Sequence, residues 1–229
     1  MWGAKLSNCT RGSLAVLSAA ERERLETLVK STDRRDFAGR RIFLRVVMSG
    51  YLGCEPSRIS FRSRCGSCGS TEHGKPYLAL GEGSEPEFSA SCSDGEAVVG
   101  VSAHQPVGVD VERRRPELSV DALLSYASST SEREAMRAYG RRDRAARFVL
   151  FWTLKEAYLK GLGIGLSRDP AELSVLSDHE QPRFLVDERG VDPELDWRLV
   201  SARHGEHCLA LAHLGDREVR WLRATRCLP

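Results

Sequence analysis

The sequence predicts an α+β fold. Stretches of helical periodicity give way to stretches of period-two alternation, and this order occurs twice along the chain. At 229 residues the chain is long enough for one or two domains with a real core. Its 41% hydrophobic and 29% charged residues exclude a largely disordered chain. No apolar run reaches the ~18 residues of a transmembrane helix.

Each element has its own signal. Ser18 with Glu21 three residues on has capping-box spacing and opens a helix over 17–28. A second amphipathic helix covers 36–52, with Phe37, Ile42, Leu44, Val47 and Met48 on its apolar face and Gly53 closing it. Residues 57–64 alternate as a short strand, and residues 65–87, rich in Gly, Ser, Glu and Pro, read as loop. Strands at 88–91 and 97–101 flank the turn Ser93-Asp94-Gly95, and 107–112 is another strand. After Pro116 the pattern turns helical, over 119–127, 131–139 and 143–162, ending at Gly161 and Gly163. Late strands fit 172–176, 183–186, 197–201 and 208–212. The change of pattern near residue 105 divides the chain into two halves, 1–105 and 106–229.

The net charge of +2 argues against a general nucleic-acid or membrane binder. The basic residues are lopsided, 29 Arg against 5 Lys, and Lys75, Lys155 and Lys160 fall inside two short segments. That concentration suggests ammonium groups chosen for chemistry. The seven cysteines (9, 54, 65, 68, 92, 208 and 227) are odd in number. The first residues also lack the long apolar stretch of a signal peptide. Reduced thiols and a cytoplasmic location are the expectation.

Two segments carry chemistry. In Gly108-Val109-Asp110-Val111-Glu112 the carboxylates share one strand face, about 7 Å apart at their Cα atoms, and both can turn onto one hard cation. A strand with a solvated acidic face is the plain alternative. In Phe151-Trp-Thr-Leu-Lys-Glu-Ala-Tyr-Leu-Lys-Gly161, Trp152, Glu156 and Lys160 lie within about 80° on a helix, flanked by Lys155. Taken alone, ordinary i,i+4 ion pairing on an exposed helix is the better explanation of that pattern.

Together, and in this order, the two segments resemble the signature pair of 4′-phosphopantetheinyl transferases, of the larger monomeric type serving polyketide and non-ribosomal peptide synthases. Gly74-Lys75-Pro76 is similar to the family's Gly-Lys-Pro segment. Phe88-Ser-Ala-Ser-Cys-Ser93 sits where the family shows Phe-Asn-x-Ser-His-Ser. Arg35-x-x-x-Gly39 ahead of Leu44-Arg45 resembles its phosphate-binding N-terminal helix, and Trp197 and the 208–212 strand also fit.

The resemblance implies two similar pseudo-twofold-related halves, each an antiparallel sheet packed with helices. The active site then lies in the cleft between them, the 1–105 half taking the nucleotide side of coenzyme A and the 106–229 half carrying the metal strand and the Lys-Glu helix. It implies transfer of the 4′-phosphopantetheine arm of coenzyme A to a Ser of an apo acyl or peptidyl carrier protein, releasing adenosine 3′,5′-bisphosphate. The nucleophile is on the partner, so no Ser-His or Cys-His pair is needed. Asp110, Glu112 and Glu156 are then the ligands of Mg²⁺, with Mn²⁺ as its substitute. Glu156 also orients or deprotonates the incoming hydroxyl, with Glu132 a lower-ranked base. Lys155 and Lys160 hold the diphosphate and offset the leaving charge. Lys75 and Arg35 hold the nucleotide end, and Ser91 and Cys92 lie against the phosphates. Cys92 departs from the pattern: it stands in place of the family's His, and a neutral thiol is a poor phosphate donor. A nearby Arg as substitute, weaker coenzyme A binding, and a non-catalytic coenzyme A or carrier-protein binder all follow as alternatives.

Two features fall outside that set. Cys65-Gly-Ser-Cys68 has zinc-knuckle spacing, with Cys54 and His73 near in sequence; a Gly-rich loop with free thiols is the bland reading. Arg133, Arg137, Arg141, Arg142, Arg144 and Arg147 form a basic stretch suited to steering an acidic carrier protein or simply to a solvated helix face. A zinc-knuckle nucleic-acid binder is the rival from another class, disfavoured by 7% aromatics and the absence of basic-aromatic interleaving.

Overall fold

Two 22-residue helices organise the structure, Ser31–Leu52 and Arg141–Leu162. Each ends on a left-handed glycine, Gly53 at φ 62° and Gly163 at φ 74°, where a side chain would be strained. Each packs its apolar stripe on an antiparallel sheet. The computed structural model describes residues 1–6, 11–71, 73–79, 85–115, 117–178, 181–187, 196–216 and 218–224. Cys9, Pro116 and Cys227 lie outside the described residues.

The first half runs β1 (Trp2–Lys5), α1 (Ala19–Thr27), α2 (Ser31–Leu52), β2 (Phe61–Arg64), β3 (Lys75–Leu78), β4 (Glu87–Ser93) and β5 (Glu96–Ser102). The second runs β6 (Val107–Arg113), α3 (Asp121–Ala127), α4 (Thr130–Met136), α5 (Arg141–Leu162), β7 (Leu173–Asp178), β8 (Gln181–Asp187), β9 (Trp197–His204) and β10 (His207–Leu214). The sheet orders are β1-β5-β4 and β6-β10-β9, antiparallel throughout, and each half inserts a two-stranded hairpin, β2-β3 or β7-β8, after its long helix. The connectivity is therefore the same twice. A last strand, β11 (Leu222–Arg223), pairs parallel with β1, so the tail of the second half completes the sheet of the first.

The expected elements form, with differences that have physical causes. The Ser18–Glu21 capping box is present in both directions. Helix α2 starts five residues before the expected Asp36. The strand expected over 57–64 is shortened because Pro56–Arg58 form a 3₁₀ turn. The loop expected over 65–87 contains β3, which pairs with β2 in the register Arg64 to Lys75. The turn at Asp94-Gly95 has both residues at positive φ (45° and 81°), the geometry that matches strand twist in a tight hairpin.

Helix α5 crosses β6 closely because neither partner has a side chain at the crossing. A Cβ on Gly108 would lie 1.9 Å from the Ala157 carbonyl oxygen and 2.3 Å from the Gly161 nitrogen. Gly108, Asp110 and Glu112 share the face that α5 covers, while Val107, Val109 and Val111 join Val98, Leu209 and Leu211 in a core on the other face. No helix among the described residues is long and apolar enough to cross a membrane.

Candidate active site

The two halves meet along β4 and β6, and alternate serines stitch them together. Ser89 Oγ accepts from the Val109 amide at 3.1 Å. Ser91 Oγ donates to Asp110 Oδ1 at 2.7 Å. Ser93 Oγ donates to Glu112 Oε2 at 3.0 Å and accepts from the Arg113 amide at 3.4 Å. Period-two alternation thus sends three hydroxyls from one strand onto the carboxylate strand of the other half.

Helix α5 lays Glu156 and Lys160 over the same seam. Lys160 Nζ sits 2.6 Å from Asp110 Oδ1 and 3.0 Å from Ser91 Oγ. Asp110 is buried, and its other oxygen, Oδ2, has no hydrogen-bond partner; Glu156 Oε1 is likewise buried and unpartnered. Burial, first, pushes the Glu156 carboxyl up, with Asp110 and Glu112 adding to it and Lys160 opposing it. Burial and then Asp110 raise Glu112, against Ser93 and Lys160. Unpartnered buried carboxylate oxygens are costly on their own and are the donors a hard cation takes. The three carboxylates are spread along the seam, and no set with one oxygen from each falls within 4.8 Å.

Beside this cluster a cavity of about 460 Å³ opens between the halves. Arg40, Arg41 and Leu44 of α2, Lys75 and Pro76 of β3, Lys160 and the 163–167 turn line it. Lys75 Nζ spans the seam, bonding Glu87 Oε2 at 3.1 Å, the Val107 carbonyl at 3.2 Å and the Gly161 carbonyl at 3.4 Å.

Other expected site residues are placed elsewhere. Lys155 is buried, and its ammonium is fully engaged by Glu132 Oε2 at 2.6 Å and the carbonyls of Ala127 and Pro170 at 2.8 and 3.0 Å. In this structure the ammonium ties α5 to α3 and α4. Glu132 is no better placed to act as a base. Its Oε2 also accepts from the Ser129 amide as half of a capping box, and Oε1 accepts from the Val175 amide at 2.7 Å. Arg35 pairs with its neighbour Asp36 at 3.3 Å and lines a separate groove with Lys5, Asp94 and Arg113. Cys92 points away from Ser91, to the α2 side, with Sγ 3.9 Å from the Asp36 carbonyl. Burial pushes its thiol up, against the pull of Arg40.

Sequence reasoning missed Arg40 and Arg41, and the bridging role of Ser89 and Ser93. The serines had a visible signal, Ser at every second position of 89–93. The arginines had none beyond the phase of α2.

Comparison with known proteins adds a family. The model of the 4′-phosphopantetheinyl transferase superfamily matches residues 106–212. The 4′-phosphopantetheinyl transferase HetI of Nostoc sp. is 31% identical over 156 residues, 67% of this chain and 62% of that protein. A putative 4′-phosphopantetheinyl transferase of Synechocystis sp. is 26% identical over 216 residues, 94% of this chain and 81% of its own. A 4′-phosphopantetheinyl transferase of Bacillus subtilis is 27% identical over 208 residues, 85% of this chain and 86% of its own. Among solved structures, a holo-(acyl-carrier-protein) synthase from Bacillus anthracis in complex with CoA (3′,5′-ADP) aligns at a TM-score of 0.41 and 20% identity, over 48% of this chain and 94% of that one.

Proposed function

We propose, from the match of residues 106–212 to the 4′-phosphopantetheinyl transferase superfamily and the likeness to its members along the chain, that this protein is such a transferase and moves the phosphopantetheine arm of coenzyme A onto a Ser hydroxyl of an apo carrier protein. The observation that carries this is the seam itself: Asp110, Glu112, Glu156 and Lys160, drawn from a strand and a helix, beside a cavity with three further cations, Arg40, Arg41 and Lys75.

In the transfer, the Ser oxygen forms a bond to the phosphorus that carries pantetheine. The P–O bond to the adenylate phosphate breaks, and adenosine 3′,5′-bisphosphate leaves with the electron pair. Asp110 Oδ2, Glu156 Oε1 and Glu112 have the hard oxygen donors that suit Mg²⁺, with Mn²⁺ as a substitute. When bound, the ion supplies neutralisation of the diphosphate charge. Glu156, whose free oxygen distinguishes it from the fully hydrogen-bonded Glu132, orients the incoming hydroxyl and takes its proton, directly or through water. Lys160, held by Asp110 and Ser91, offsets charge on the departing phosphate. Lys75, Arg40 and Arg41 hold the nucleotide end, so the 1–105 half serves the nucleotide and the 106–229 half the chemistry. Arg40, beside Cys92, takes the place of the missing imidazole.

Polyketide or non-ribosomal peptide carrier domains in the cytoplasm are the proposed partners, met by a monomer without nucleic acid or membrane. Within the basic stretch, Arg144 is engaged by Asp121 and Arg147 stacks on Tyr139, leaving a partly solvated cationic face for an acidic carrier.

The test is carrier-dependent release of adenosine 3′,5′-bisphosphate, followed by chromatography. Release that needs both an apo carrier protein and Mg²⁺, and falls about 100-fold or more in Asp110→Asn, supports the reading. Binding of coenzyme A without release with any carrier favours the non-catalytic binder that Cys92 suggests.

A further inference from the structure

The β2–β3 hairpin carries a cluster that the transfer chemistry does not use. After β2 the chain makes a tight knuckle, Cys65-Gly-Ser-Cys68, closed by Gly69 at φ 72°. In it the Gly69 amide donates to the Cys65 carbonyl at 2.9 Å, and the Cys65 amide donates to the Ser70 carbonyl at 2.8 Å. Gly74, at φ 111°, then packs against the backbone of Arg64, where any side chain would clash at 2.3 Å, and this return places His73 over the two cysteines. One atom each from Cys65, Cys68 and His73 lie within 4.8 Å of one another. Cys68 Sγ and His73 Nε2 are 3.4 Å apart. Two ligands on one tetrahedral zinc, with Zn–S of about 2.3 Å and Zn–N of about 2.0 Å, are separated by about 3.5 Å.

We propose that Cys65, Cys68 and His73 bind one Zn²⁺ ion, which ties off the hairpin forming one wall of the cavity. Two thiolates and an imidazole are a soft donor set that selects zinc over the hard ions of the carboxylate seam. Binding releases the two thiol protons, takes His73 as the neutral imidazole, and leaves water as the fourth ligand. Cys54 is not part of the set; it packs against the core under α2.

The ion's position gives it a consequence. The Gly66 amide donates to the Gly163 carbonyl at 3.2 Å, so the knuckle docks on the end of α5, the helix that carries Glu156 and Lys160. Cys65 and His73 line the cavity, and Lys75 lies two residues beyond His73. Zinc therefore fixes the cavity wall without touching the transfer chemistry, and it is present or absent whether or not the chain is a transferase.

The experiment uses the full chain without a polyhistidine tag, kept reduced, exposed to Zn²⁺ and freed of excess. Elemental analysis should find about one zinc per chain. Co²⁺ in its place should give a thiolate-to-metal absorption band. Cys68→Ser and His73→Ala alter exposed side chains, so they should keep the wild-type circular dichroism while losing most of the zinc; Cys54→Ser should retain it. In the unmutated protein, zinc should protect Cys65 and Cys68, but not Cys54, from alkylation read by peptide mass spectrometry. This readout needs no variant to fold. Reduced wild-type protein that holds less than roughly a tenth of an equivalent, shows no cobalt–thiolate band, or has Cys65 and Cys68 alkylated equally with and without zinc overturns the proposal.

Discussion

Asp110, Glu112, Glu156 and Lys160 were legible as residues because two simple spacings put them on shared faces, i,i+2 along a strand and i,i+4 along a helix. What the sequence could not show is how burial tunes them. Glu156 and Glu112 both hold their protons above the usual carboxylate range, chiefly through desolvation. Between the ordinary and the raised values the folded state binds more protons than the unfolded one, so the metal-free fold loses stability as pH rises through that window. A cation that binds the ionised carboxylates competes with those protons. At low Mg²⁺ the transfer rate should rise with pH along a limb displaced above the ordinary carboxylate range, and saturating Mg²⁺ should move that limb to lower pH. A pH profile of kcat/KM at two Mg²⁺ concentrations checks this; a limb indifferent to Mg²⁺ separates the carboxylates from the ion. Arg40 is the second residue-scale case. Five arginines lie between 34 and 45, and only packing shows that Arg45 is buried on Glu21 and two carbonyls while Arg40 faces the cavity. Arg40→Ala should raise KM for coenzyme A about ten- to a hundredfold, the worth of a hydrogen bond to a charged phosphate, with kcat little changed.

At the scale of elements, α5 does two jobs with neighbouring residues. Lys155 and Glu156 adjoin in sequence but leave the helix on different sides. One enters a buried polar knot with α3 and α4, the other the seam. Burial lowers the Lys155 ammonium below the usual lysine range, and Glu132 opposes that shift. Lys155→Met leaves the buried Glu132 without its cation and should cost about 3–5 kcal/mol in urea unfolding. The double variant Lys155→Met/Glu132→Gln should recover part of it, and a cost under about 1 kcal/mol would make the pair a surface-like contact. The crossing of α5 over β6 depends on Gly108. Gly108→Ala drives a methyl group into the backbone of Ala157 and Gly161 and should destabilise by about 1–3 kcal/mol or more, with loss of activity as Glu156 and Lys160 lift off Asp110. Unchanged stability and activity would mean the helix yields freely. The long helices, the β4–β5 hairpin and β6 were readable from caps, turn residues and period. Strands β1, β3 and β11 were not: they span two to four residues, β3 contains Pro76, and pairing with distant partners, not local pattern, makes them strands.

Over the whole molecule, one connectivity is used twice, strand–helix–hairpin–strand pair, and the proposed site lies on the seam between the copies. No short-period repeat announces this in the sequence; only the ordered resemblance to a family implied it. The copies have diverged in what they present. The first contributes serines, arginines and Lys75; the second contributes carboxylates and Lys160. Neither half alone holds the full constellation. The direct measurement is the intact mass of a panel of apo carrier proteins after incubation with coenzyme A, Mg²⁺ and this protein. A gain of about 340 Da on at least one carrier, the mass of the transferred arm, lost with Asp110→Asn, is the predicted result. Carriers that all keep their starting mass while the protein binds coenzyme A, or an Asp110→Asn variant that modifies them as fast as the wild type, would contradict transfer at the seam.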